Sequence, residues 1–149
     1  MPVKNPTPPR FLPPGPRRSA RAVVLYPELV GLVLRRYRDR AQLRQADLAV
    51  ELAWAQPKIS RLERGDSYLT VDQLQGIVAV LNQKLPLVGE DPIGYWTVLA
   101  HADQLAQDLV VLEYDVTFCT GPEWAGAGAL LRGDQLRAAL ALAHVPFSP

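Results

Sequence analysis

Residues 45–64, "QADLAVELAWAQPKISRLER", hold two short helical patterns with a tight link between them. In the first, Gln45–Leu52, the residues Leu48, Ala49 and Leu52 share one face. In the second, Gln56–Arg64, the apolar pair Ile59 and Leu62 sits among Ser60, Arg61, Glu63 and Arg64. Ala53 and Trp54 leave no room for a loop between them. Pro57 is tolerated because first-turn amides have no intrahelical acceptor, and Gly65 is a natural stop. A third helix precedes the pair. Over residues 28–41, Val30, Val33, Leu34, Tyr37 and Ala41 form one apolar stripe. Arg35, Arg36, Arg38 and Arg40 gather at its C-terminal end, where the helix dipole favours cations. A fourth helix opens on the capping box Thr70–Gln73 and runs to about Asn82, with Leu74, Ile77, Val78 and Leu81 inward.

The flanks have a different character. Residues 1–18 carry 7 of the 14 prolines, which excludes a helix or a central strand and predicts an extended basic arm. Residues 83–94 read as a loop, about 95–110 as an amphipathic helix, 111–119 as a strand, 120–128 as a turn, and 133–145 as a last helix capped by Asp134. The expected organisation is a disordered arm (1–21), a helical domain (22–85) and an α/β extension (86–149). The fold class is mainly α, a helical bundle with an α(+β) extension.

Charge divides the same way. Residues 1–64 carry a balance of +8 and residues 65–149 one of −7, so the net +1 conceals a basic half joined to an acidic one. Such asymmetry points to a polyanion-binding face at one end; two solvated surfaces that attract each other would give the same numbers. The lone Cys119 excludes an intramolecular disulfide framework and fits a reducing compartment. No apolar run before Ala22 resembles a secretory signal, and residues 22–34 are too short to span a bilayer. A soluble, cytoplasmic protein is expected.

"LRRYRDRAQLRQADLAVELAWAQPKISRLERG" resembles the phage-repressor (XRE-type) helix-turn-helix family, over roughly Leu29 to Asn82. The matching marks are Arg38, Leu43 and Gln45 ahead of "DLA", and the closing "ISRLERG". Departures are Ala53 where the family usually has a turn glycine, Trp54 after it, Arg44 for a small hydroxyl residue, Ala55 for a Ser/Thr cap, and Pro57 at an early recognition position. The resemblance implies DNA binding through the third of the four helices. It also implies that Arg38 and Glu63 form a structural ion pair between the first helix and the end of the third.

Residue chemistry adds roles. A recognition helix meets base edges near its N-terminus. Gln56 suits adenine N6/N7, Arg61 and Lys58 suit guanine O6/N7, and Pro57 offers apolar contact to a thymine methyl. Gln45 and Ser60 suit phosphates, as do Arg44 and the arm's Arg17 and Arg18.

The function expected is sequence-specific binding of double-stranded DNA by a transcription regulator, a repressor, as a homodimer. Two alternatives stand beside it. One is an antitoxin that also autoregulates, with residues 86–149 holding a toxin. The other is a helix-turn-helix acting through protein contacts, including with the transcription machinery. No enzyme, metal or cofactor is expected. His101 and His144 are far apart in helical contexts, Cys119 has no neighbouring base, "GAG" at 126–128 lacks a phosphate-loop context, and Glu113 with Asp115 lacks a third ligand.

Overall fold

The computed structural model describes residues 11–12, 21–126 and 129–142. A short strand, β1 (Phe11–Leu12), and a second, β2 (Val23–Leu25), precede four helices: α1 (Tyr26–Arg40), α2 (Gln45–Leu52), α3 (Gln56–Glu63) and α4 (Val71–Lys84). A 3-10 turn over Leu85–Val88 then leads to α5 (Tyr95–Val111), β3 (Asp115–Thr117) and α6 (Gly133–Leu142). The three strands form a parallel sheet in the order β1-β3-β2.

The helices lie close to where periodicity and caps put them. Gln73 N–H donates to Thr70 Oγ1 at 3.1 Å and Thr70 N–H donates to Gln73 Oε1 at 3.0 Å, so the capping box is closed. The stripe on α1 is buried as a whole, but α1 is more than amphipathic. Every residue from Glu28 to Leu34 is buried. A helix apolar on all sides belongs inside a domain. The helix-turn-helix lies against it on one side, and α5 lies along it on another.

This packing uses the apolar face of α5. Val98, Ala102, Leu105, Ala106 and Leu109 are all buried in the same core as Leu29, Val33 and Ile59. The apolar face of α5 is therefore occupied within the chain.

Four local expectations change. Val23–Leu25 form a strand where no element was expected; the run is apolar without alternation, as in a parallel strand covered on both faces. It pairs with β3, Val24 opposite Val116. The expected strand 111–119 shrinks to three residues, because α5 continues to Val111 and Glu113 takes a left-handed φ of 68° to turn the chain. Asp134 lies inside the first turn of α6, not at its cap, and pairs with Arg137 there. Part of the loop expected at 83–94 is the 3-10 turn, ended by Gly89. In the arm, Phe11–Leu12 is an edge strand beside β3; the rest of residues 1–20 lie outside the described residues.

The remaining chemistry-bearing residues that the structure describes are held by local contacts. Cys119 is buried, its thiol donates to the Thr120 carbonyl, and burial raises its pKa. His101 Nε2 lies 3.1 Å from the Tyr37 hydroxyl; burial and then Arg40 lower its pKa. His144 lies outside the described residues. Asp115 is buried and Glu113 exposed, so they do not share a face, and the Arg21 guanidinium reaches both. Among the described residues, no group of three His, Cys, Asp or Glu side chains is placed to hold a metal.

Candidate nucleic-acid interface

Two glycines let α3 sit as it does. A Cβ on Gly31 of α1 would come within 2.5 Å of the carbonyl oxygens of Leu62 and Glu63, so α1 touches the backbone at the end of α3. Gly65, at φ 76°, ends α3 in the left-handed region, and a Cβ there would meet the backbone of Glu28. The turn between α2 and α3 uses Ala53 at φ 57°, ψ 37°. An L-residue in that region is strained by about 1–2 kcal/mol. Ala53→Gly should therefore raise stability by about 1 kcal/mol, measured as a shift in the urea midpoint at unchanged slope.

A chain of hydrogen bonds runs from the core to the tip of α3. Arg38 holds Glu63 with two bonds, Nε to Oε2 at 2.7 Å and Nη2 to Oε1 at 3.0 Å, and its Nη1 donates to the Leu43 carbonyl at 2.8 Å. Burial works against the guanidinium charge, but the bonds to Glu63 outweigh it and raise the Arg38 pKa. Glu63 Oε1 also accepts from Gln45 Nε2 at 2.8 Å, and Gln45 Oε1 accepts from Gln56 Nε2 at 2.6 Å.

The carboxylate sets the direction of the whole chain. It is acceptor-only, so Gln45 must turn its NH2 toward Glu63. That leaves Gln45 its oxygen to face Gln56, which must in turn present an N–H. One N–H and the carbonyl oxygen of Gln56 stay available beyond the chain. Those are the groups that pair with adenine N7 and N6.

The other sequence-selected residues have different surroundings. Arg61 and Pro57 are exposed on α3, with no side-chain partner of Arg61 among the described residues. Lys58 is half-buried, its ammonium 4.1 Å from the centre of the Trp54 ring. The bulky Trp54 in the turn thus serves as a platform for a cation. Ser60 accepts from Arg64 Nη1 at 2.5 Å, which turns its hydroxyl toward the protein. Arg44 donates to Asp47 at 3.1 and 2.9 Å, and those bonds hold the Asp47 carboxyl down at about 2. Arg44 must give up part of that pairing to reach a phosphate. Arg17 and Arg18 lie outside the described residues.

Sequence reasoning missed a clamp at the far end of α3. Arg132, just ahead of α6, donates to Glu28 Oε1 at 3.0 Å and to Asp66 Oδ1 at 2.8 Å, and also to the Arg64 carbonyl. Gly133 N–H donates to Glu28 Oε2 at 2.9 Å. Glu28 and Arg132 are 104 positions apart, in segments with no motif in common, so nothing local announces the pair.

Residues 29–88 match the family described as the helix-turn-helix domain. That span contains α2, the left-handed turn at Ala53 and α3, and it is a helix-turn-helix domain. No curated protein matches the chain. Among solved structures, it is similar to the clp gene regulator ClgR from Corynebacterium glutamicum. The two share 22% identity over 60% of this chain and 84% of that one, with a TM-score of 0.49. No described helix is long and apolar enough to cross a membrane.

Proposed function

We propose that this protein is a sequence-specific, double-stranded DNA-binding transcription regulator of the XRE type, acting in the cytoplasm as a homodimeric repressor. One observation carries the reading: the hydrogen-bonded chain Arg38–Glu63–Gln45–Gln56 in the helix-turn-helix domain, which leaves the outermost amide able to meet a base edge. Gln56 and Arg61 read bases, with Lys58 and Pro57 beside them. Gln45, whose second N–H is not used by the chain, meets a phosphate, as do Arg44 and Ser60 once they exchange their protein partners. The basic balance of the N-terminal half supports the polyanion assignment.

A single recognition helix spans few base pairs, and two-fold symmetry doubles the site. Residues 86–149 are assigned to self-association or to a protein partner. Support comes from Trp96, Val111 and Leu142 in this segment, 69%, 79% and 75% exposed.

Footprinting with the purified full-length chain tests the proposal. A protected palindrome with half-site centres about 34–36 Å apart supports it. Absence of salt-dependent duplex binding refutes it. The arm gives a separate prediction. Phosphate contacts carry no direct base information, so replacing Arg17 and Arg18 with alanine should weaken all sequences alike. The salt slope should fall by about 0.9 for each phosphate that is no longer neutralised. A change in preferred sequence, or an unaltered slope, would exclude phosphate binding by these arginines.

A further inference from the structure

A cavity of about 200 Å³ lies where α1, the end of α3, the loop into α4, α5 and the segment after β3 meet. We propose that it binds a small, uncharged aromatic molecule of one or two rings.

The lining sets the chemistry. Three aromatic side chains, Tyr26, Tyr68 and Phe118, stand around an aliphatic floor that includes Val30, Leu62 and Leu99. Among the described residues no Asp, Glu, Lys, Arg or His contributes to the wall, so a charged ligand would lose its hydration with no partner in return. One tyrosine hydroxyl is committed at the rim: Tyr26 donates to Asp103 Oδ1 at 2.5 Å. The Glu123 carboxylate raises the pKa of the Tyr68 phenol, so it too stays neutral. Ser67 adds one further hydroxyl, enough to orient a ligand with a single polar group.

Size narrows the class. A dry apolar cavity of about 150 Å³ holds benzene, and pockets for drug-sized ligands begin at about 300 Å³. The space suits a ring or a fused pair, and is too small for a peptide helix. Exposure points the same way. Tyr68 and Phe118 are 53% and 48% exposed, and both line this one cavity instead of standing apart. The walls tie the cavity to the recognition helix, because Leu62 belongs to α3 and Ser67 and Tyr68 to the loop that follows it.

Methyl-resolved NMR of the full-length chain, with indole as the probe, tests this without DNA and so independently of the proposed function. Indole should give saturable shifts at the methyls of Val30, Leu62 and Leu99, with Kd on the order of 0.1–1 mM. Benzoate, similar in size but charged, should leave them unmoved. Phe118→Ala, which removes a partly exposed wall, should weaken indole by about 2- to 10-fold. Leu99→Trp, which fills the space, should abolish the shifts, with thermal melts establishing that both variants are folded. Shifts scattered over distant exposed residues such as Leu87 would overturn the proposal. So would benzoate binding as tightly as indole, or equal indole affinity in the wild type and the folded variants.

Discussion

Replacing Glu63 with alanine is expected to cost the fold roughly 3–5 kcal/mol, the cost of removing one partner from a buried ion pair. The side chains of Arg38 and Glu63 are 9% and 7% exposed, so water cannot take over the guanidinium left behind. The same substitution removes the acceptor that orients Gln45, and through it Gln56. Two losses should therefore appear together: a lower urea midpoint, and weaker discrimination between specific and random DNA when binding is measured at a temperature where the variant is still folded. Arg38→Ala should match or exceed it in cost, since it leaves the Glu63 carboxylate without a cation, whereas Arg38 without Glu63 still has the exposed Asp39 at 3.4 Å. If Glu63→Ala melted like the wild type and kept its full preference for the specific site, the pair would be neither a structural tie nor an orienting one.

Gln56→Ala and Arg61→Ala are expected to act on binding and to spare the fold. Both side chains are exposed, and Gln56 ends the amide chain, so truncation strands no buried charge. Each should cost about 1–3 kcal/mol on the preferred site, or roughly 5- to 150-fold in Kd. Random DNA, held by phosphate contacts, should be weakened far less. Preference should collapse at one position of each half-site, and at a different position for each variant. Equal weakening on specific and random DNA would mean that α3 grips backbone alone.

The legibility of this chain in its sequence follows the distance over which each interaction acts. The capping box at Thr70, the stop at Gly65 and the bounds of α2 and α3 depend on residues three to five apart, and the helices lie there. β2 was hidden because Val23–Leu25 has no alternation and its partner, β3, lies some ninety positions away. The central position of α1 was masked for a related reason. An apolar stripe predicts one buried face, and only the docking of α5 shows that the other faces are covered too.

At the candidate interface, residue chemistry selected Gln45 and Gln56 singly, and the resemblance gave Arg38 and Glu63 as a pair. Their union into a single directed chain depends on side-chain geometry that spacing does not contain. Trp54 looked like a misfit in a tight turn, and its use became visible only with Lys58 on its ring. The Arg132 clamp had no local signal at all. An arginine before an amphipathic helix is ordinary until Glu28 and the end of α3 are found beside it.

The most direct test of the central claim is selection of bound duplexes from a random pool, run in parallel with the purified full-length wild type and Gln56→Ala. Base reading by the oriented amide predicts that the wild type enriches a two-fold symmetric motif with a fixed adenine in each half-site. The variant should enrich the same motif with that one position relaxed. Identical motifs from the two proteins, or no enrichment by the wild type, would contradict it.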